Sequence, residues 1–121
     1  MRVTLSKEFS FEAAHLLPHA PEGHKCRRLH GHSFRVEVVL AGEVDPDLGW
    51  FVDYGEIVSV VKPIVDDSLD HRYLNEIEGL ENPTSERLAR WLWERIRPRL
   101  PALVEIVVRE TCTVACHYRG D

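Results

Sequence analysis

The chain has 121 residues, 44% hydrophobic and 29% charged, the proportions of a globular protein, which argues against a collagen-like repeat, a coiled coil and a disordered chain. Fifteen Lys and Arg against twenty Asp and Glu leave a net charge of −5, and no basic run is longer than Arg27-Arg28, which excludes a general nucleic-acid binder. A chain of this length buries enough apolar surface to fold as one domain over residues 1–121 without disulfide staples.

The residues from Met1 to Glu8 lack the apolar stretch of a leader, and no segment approaches the roughly 18 apolar residues of a membrane span, so a cytoplasmic protein with no membrane partner is expected. Three cysteines, Cys26, Cys112 and Cys116, are an odd number that suits a reducing compartment. Val3, Leu5, Phe9 and Phe11 alternate with Arg2, Thr4, Glu8 and Ser10, which predicts a strand with one buried face. A polar stretch from Leu16 to Leu29, carrying Pro18, Pro21 and Gly23, reads as a long loop. Phe34, Val36, Val38 and Leu40 then alternate with Ser33, Arg35 and Glu37 in a second strand, closed by Gly42 and the turn residues Asp45 to Gly49.

Asp53 is suited to cap a helix containing Ile57, Val61, Ile64 and Val65, which Pro63 must kink or restart. Asn82 as cap and Pro83 at the first helical position introduce a second helix through Leu88, Trp91, Leu92 and Ile96. After Pro98 and Pro101, Val104, Ile106 and Val108 alternate with Glu105 and Arg109, and the β-prone tail from Val114 to Arg119 adds a final strand. The order strand, strand, helix, helix, strand, strand implies an α+β fold: a four-stranded antiparallel sheet with two helices on one face and a water-facing polar face opposite.

Histidine parity carries the functional signal. His15 continues the odd, buried parity of the first strand, while His30 and His32 continue the even, buried parity of the second, so one hairpin aims three imidazoles the same way. Three neutral imidazoles at the end of an apolar face suit Zn²⁺, and as core residues they would demand three sets of hydrogen-bond partners. Three histidines leave a fourth position for water or substrate, the mark of a catalytic site; alternatively Cys26, four residues before His30, closes the shell into a structural centre. Lys25, Arg27 and Arg28 surround Cys26 with positive charge, which favours a reactive thiolate. Glu110 continues the even parity of Val104, Ile106 and Val108 and would aim a carboxylate from the end of a core face, costly unless paired. Asp70-His71 alone reads as a helix-terminal turn. Cys112, Cys116 and His117 read as packing thiols and a neighbour more readily than as a second metal site.

Five blocks in order, Phe11-Glu12-Ala13-Ala14-His15, Cys26-Arg27-Arg28-Leu29-His30-Gly31-His32, Leu69-Asp70-His71, Pro83-Thr84-Ser85-Glu86 and Glu110-Thr111, resemble the 6-pyruvoyl-tetrahydropterin synthase family over nearly the whole chain. The three-residue gap between Cys26 and His-Gly-His is most similar to the family's bacterial, carboxylate-forming branch of queuosine biosynthesis. The resemblance implies a zinc-dependent lyase of the tunnelling fold, acting on 7,8-dihydroneopterin triphosphate without nicotinamide or flavin, and assembled as a homohexamer with active sites between subunits. It further implies His15, His30 and His32 as zinc ligands, Cys26 with Asp70 and His71 as the proton-transfer groups, and Glu110, Thr84 and Ser85 as pterin contacts. The alternatives it leaves are a pyruvoyl-forming enzyme of the same fold and a zinc-stabilised binding module with Cys26 as fourth ligand.

Overall fold

A computed structural model describes residues 1–121. Strands β1 (Arg2–His15) and β2 (His30–Glu43) pair antiparallel along their full length, from Arg2 opposite Glu43 to His15 opposite His30. The alternation in both strands is what fixes this register, because a slip of one residue would turn every apolar side chain to the wrong face. Phe11 and Phe34, directly opposite each other, stack with ring centroids 5.0 Å apart.

The loop joining the two strands is braced. Leu17 N–H donates to the Cys26 carbonyl at 2.7 Å, and the Asn75 side chain clamps Leu16 by both its N–H and its carbonyl, at 3.0 and 2.9 Å. A short 3-10 turn, Lys25–Arg27, is capped by the His24 ring, whose Nδ1 accepts from the Cys26 N–H at 3.0 Å. These bonds close the loop beside the His15 to His30 end of the hairpin.

Helix α1 (Tyr54–Ile64) starts where the Asp53 carboxylate accepts from the Gly55 N–H at 2.8 Å. Pro63 sits inside it without an N–H to donate, and the chain widens into a π turn over Val65–Leu69, ending with Asp70 N–H on the Val65 carbonyl at 2.8 Å. Helix α2 (Ser85–Ile96) begins two residues later than the Asn82 cap and Pro83 start expected from the sequence. Its cap is Thr84, whose hydroxyl accepts from Arg87 N–H at 3.2 Å, because the Pro83 carbonyl is turned toward His15 instead of into the helix. Leu88, Leu92 and Ile96 on its inner stripe are fully buried, each contributing about 1.5–3 kcal/mol of transfer free energy.

The sheet corrects one expectation. It has five strands in the order β3-β1-β2-β4-β5 and is mixed: β3 (Arg72–Tyr73) lies parallel to β1 at Ala13 and Ala14, whereas β4 (Leu103–Arg109) and β5 (Cys116–Tyr118) are antiparallel as expected. Two residues carry no periodicity, so β3 has no sequence signature; its pairing is dictated by the turn that precedes it. A register shift at Val39 and Leu40 brings Leu103 into the core and leaves Val104 at 38% exposure, which breaks the simple even parity expected of β4.

A core of 22 buried residues lies between the sheet and the helices. The opposite face carries ion pairs across neighbouring strands, with Arg109 to Glu37 and Arg119 to Glu105 both at 2.7 Å, and these cover Val39 and Val107, which are buried on that side. No helix is long and apolar enough to cross a membrane.

Gly42 marks the far end of the hairpin. A Cβ placed there would run into the Phe51 ring, so the absence of a side chain is what lets Phe51 cover the strand. Gly42→Ala is expected to destabilise the fold by about 1–3 kcal/mol in urea denaturation, through overpacking. The double variant Gly42→Ala with Phe51→Leu should recover part of that loss; equal stability of Gly42→Ala and the parent would refute the close fit.

Candidate active site

The three imidazoles converge at the end of the hairpin. His15, His30 and His32 offer ligand nitrogens that all lie within 4.8 Å of one another, and the rings meet edge to face with centroids 4.6 to 5.1 Å apart. His15 has no exposed surface, and its Nδ1–H donates to the Pro83 carbonyl at 2.9 Å. Its Nε2 is buried without any partner. His30 is held in the same way, Nδ1–H to the Arg28 carbonyl at 2.7 Å. With Nδ1 committed as donor in both rings, Nε2 is left as a bare lone pair facing its neighbours.

Burial pushes the His15 pKa down to about 4, reinforced by the proximity of His30 and His32 and opposed by the Pro83 carbonyl. The ring is therefore neutral near pH 7, the form a metal ligand must take. An orphaned buried nitrogen beside two further imidazoles fits a divalent ion with a taste for nitrogen donors, and Zn²⁺ in particular. Cys26 is not among the mutually close ligand atoms. It is half-buried in the 3-10 turn of the loop, so the chain offers three nitrogens and no sulfur at the centre.

Glu110, just past the end of β4, brings Oε2 to 3.9 Å from His32 Nε2. Burial pushes its carboxyl above the usual carboxylate range, opposed by His32 and by the nearby hydroxyl of Ser85, the first residue of α2. Ser85 thus reaches the cluster through Glu110, while Thr84 spends its hydroxyl on the helix cap.

Asp70 and His71 are built against the edge of β1. Asp70 Oδ1 accepts from Glu12 N–H at 2.9 Å, His71 N–H donates to the Glu12 carbonyl at 2.6 Å, and Asp70 Oδ2 meets His71 Nδ1 at 3.0 Å. The Glu12 amide, and after it His71, hold the Asp70 carboxyl below its ordinary pKa. His71 is the only non-glycine residue with a left-handed backbone, φ 58°, a conformation a side chain adopts only when its surroundings impose it. Its ring is 80% exposed and shares with His32 the lining of an open groove of about 570 Å³ that also includes Glu12, Ser33 and Tyr73. The pair is therefore an oriented carboxylate and imidazole, beyond the helix-terminal turn that the local sequence suggests.

Cys112 is exposed and Cys116 half-buried, packed against the core with its thiol pushed up by burial and by Glu86 and Glu110. The three histidines are the group with metal-ligand spacing, and Cys112, Cys116 and His117 are not brought together in that way. The carbonyls of Pro83 and Arg28, which orient this site, have no sequence signal, because a backbone carbonyl is common to every residue.

Residues 4–121 match the family model described as 6-pyruvoyl tetrahydropterin synthase. The chain is 47% identical over 117 residues to the 6-carboxy-5,6,7,8-tetrahydropterin synthase of Synechocystis, covering 93% of this chain and 89% of that protein. It is 40% identical over 106 residues to the dihydroneopterin monophosphate aldolase of Pyrococcus furiosus, covering 88% and 85% respectively. The solved structure of Caenorhabditis elegans 6-pyruvoyl tetrahydropterin synthase superposes with a TM-score of 0.90 at 28% identity, over 100% of this chain and 97% of that one.

Proposed function

The chain belongs to the 6-pyruvoyl tetrahydropterin synthase family, and from that premise we propose that it is a zinc-dependent 6-carboxy-5,6,7,8-tetrahydropterin synthase of queuosine biosynthesis. The reaction takes 7,8-dihydroneopterin triphosphate and water to 6-carboxy-5,6,7,8-tetrahydropterin, acetaldehyde and triphosphate. The single observation that carries this reading is the buried, partnerless Nε2 of His15 facing His30 and His32, with Glu110 beside His32.

His15, His30 and His32 would hold the zinc. When bound, the ion supplies Lewis-acid polarisation of the substrate's side-chain hydroxyls, which acidifies the adjacent C–H groups. Glu110, oriented by Ser85, offers its carboxylate to the paired N–H donors of the pterin's aminopyrimidine edge, a bidentate match, and Thr84 fixes the start of α2 on which Ser85 stands. Cys26 accepts and returns protons on the side-chain carbons from the loop. His71, with its tautomer set by Asp70, does so from the groove. The redox change is internal to the pterin, so no nicotinamide or flavin takes part.

Assembly into a homohexamer is part of the proposal. Apart from Ala13 and Ala14, the outer edge of β1 has no partner strand, and such an edge is satisfied when sheets of neighbouring subunits join. The partners are then the small pterin substrate and further copies of this chain, in the cytoplasm.

Product identification tests the reading. Zinc-loaded protein incubated with dihydroneopterin triphosphate is expected to yield acetaldehyde and a carboxylated tetrahydropterin by mass. A pyruvoyl product with the carbon chain intact would reassign it to triphosphate elimination alone, and recovery of unchanged substrate would reduce it to a zinc-stabilised binding module.

A further inference from the structure

Four residues of one parity lie in order along β2 and the residues just before it. Phe34, His32, His30 and Arg28 share the even parity of β2 and its extension: Phe34 is buried in the core, His32 and His30 belong to the cluster, and Arg28 is exposed beyond them. Arg28 keeps an extended backbone, φ −85° and ψ 148°. At roughly 3.3 Å per extended residue, it stands up to about 13 Å past His32. Glu110 meets the strand at the His32 level, on the opposite side of the cluster from Arg28.

Lys25 stands in the same 3-10 turn as Cys26 and is also exposed. The paired Lys and Arg are Arg35, Lys62, Arg90, Arg109 and Arg119, which leaves the Lys25 and Arg28 head groups free for an anion. Their backbone is not a loose tether. Arg28 N–H donates to the Lys25 carbonyl at 3.1 Å, the Arg27 guanidinium to the Ala20 carbonyl at 3.2 Å, and the Arg28 carbonyl accepts from His30 at 2.7 Å. Two unpaired cations on a braced turn, in a chain of net charge −5, are a local reversal of sign at the rim of the site.

We propose that Lys25 and Arg28 are the phosphate-binding rim: they take the polyphosphate of the substrate beyond His30 and set a preference for triphosphate over monophosphate. The inference rests on the dihydropterin reading above. A pterin anchored at Glu110 with its side chain at the histidines runs its phosphates toward Arg28, the order in which these residues occur. As the carbon–oxygen bond to the triphosphate breaks and a proton leaves the neighbouring carbon, the electron pair stays on the phosphate oxygen. Charge-assisted bonds from Lys25 and Arg28 strengthen as that charge develops. Arg28 offers a planar fork and Lys25 a point charge, which together cover more than one phosphate. Among the relatives, the Pyrococcus protein is named for a monophosphate substrate.

The test uses zinc-loaded protein and the variants Lys25→Gln, Arg28→Gln and the double variant, all at fixed ionic strength. Calorimetry with inorganic tripolyphosphate is expected to show binding by the parent, weakened at least about 10-fold in the double variant with metal content unchanged. In turnover, kcat/KM for dihydroneopterin triphosphate should fall about 100-fold and that for the monophosphate less than about 5-fold. Unchanged tripolyphosphate affinity, or an unchanged triphosphate-to-monophosphate ratio, would overturn the proposal. A parent that binds tripolyphosphate through these residues but converts neither pterin phosphate keeps the anion site and sinks the substrate reading; a parent and double variant of equal activity do the reverse.

Discussion

His15→Ala is expected to empty the metal centre, cut turnover by at least about 10³-fold and weaken the fold itself by about 2–4 kcal/mol. The activity loss follows from the donor set: three nitrogens grouped within 4.8 Å become two, with no sulfur among the grouped ligand atoms to replace the third. The stability loss has a separate cause. His15 is fully buried, so truncation leaves a cavity next to Phe34, and the Pro83 carbonyl loses the Nδ1–H that satisfies it at 2.9 Å. His30→Ala separates the two effects, because His30 is only partly buried and its Nδ1 partner is a loop carbonyl near the surface. That variant should lose zinc and turnover to a similar extent while the metal-free protein unfolds within about 1 kcal/mol of the parent. Zinc content by plasma emission, urea denaturation after chelation and steady-state rates make up the experiment. One equivalent of tightly held zinc in His15→Ala would dispose of the three-histidine centre.

The legibility of this site in the sequence has a physical basis. Strand parity has a period of two and survives from Phe11 through Ala13 to His15 and from His32 to Phe34, because both strands run unbroken to the point where the rings meet. The grouping of the three histidines therefore follows from the same alternation that defines the core. Parity failed where a bulge intervened: Val104 faces outward although Ile106 and Val108 face in. The Asp70-His71 pair was not readable from local pattern at all. Its geometry depends on a π turn after Pro63, a left-handed His71 and the Glu12 backbone 58 residues away, none of which leaves a periodic trace. Only the resemblance of Leu69-Asp70-His71 to a family block pointed there. For the same reason β3 was missed: Arg72 and Tyr73 are a strand because Asp70 and His71 dock on Glu12 just before them.

Cys26→Ala, in contrast to His15→Ala, is expected to retain a full equivalent of zinc and still lose about 10²–10⁴ in kcat, the range of a positioned proton-transfer group. Its side chain contributes nothing to the grouped ligand atoms, and its backbone bonds, to His24 and Leu17, do not involve the sulfur. The loop should therefore keep its shape, and substrate affinity should change less than about 3-fold, giving an effect on kcat with little on KM. A readout apart from turnover follows from the assigned role. In deuterated water the parent should wash deuterium into the side-chain carbons of the pterin faster than product forms, while Cys26→Ala should slow that exchange in step with kcat. X-ray absorption of the resting parent should show a nitrogen and oxygen shell, with no zinc–sulfur distance near 2.3 Å. Loss of zinc in Cys26→Ala, or a sulfur shell in the parent, would move Cys26 from the proton-transfer machinery into the metal's coordination sphere and leave the chain a closed structural centre with no position for substrate.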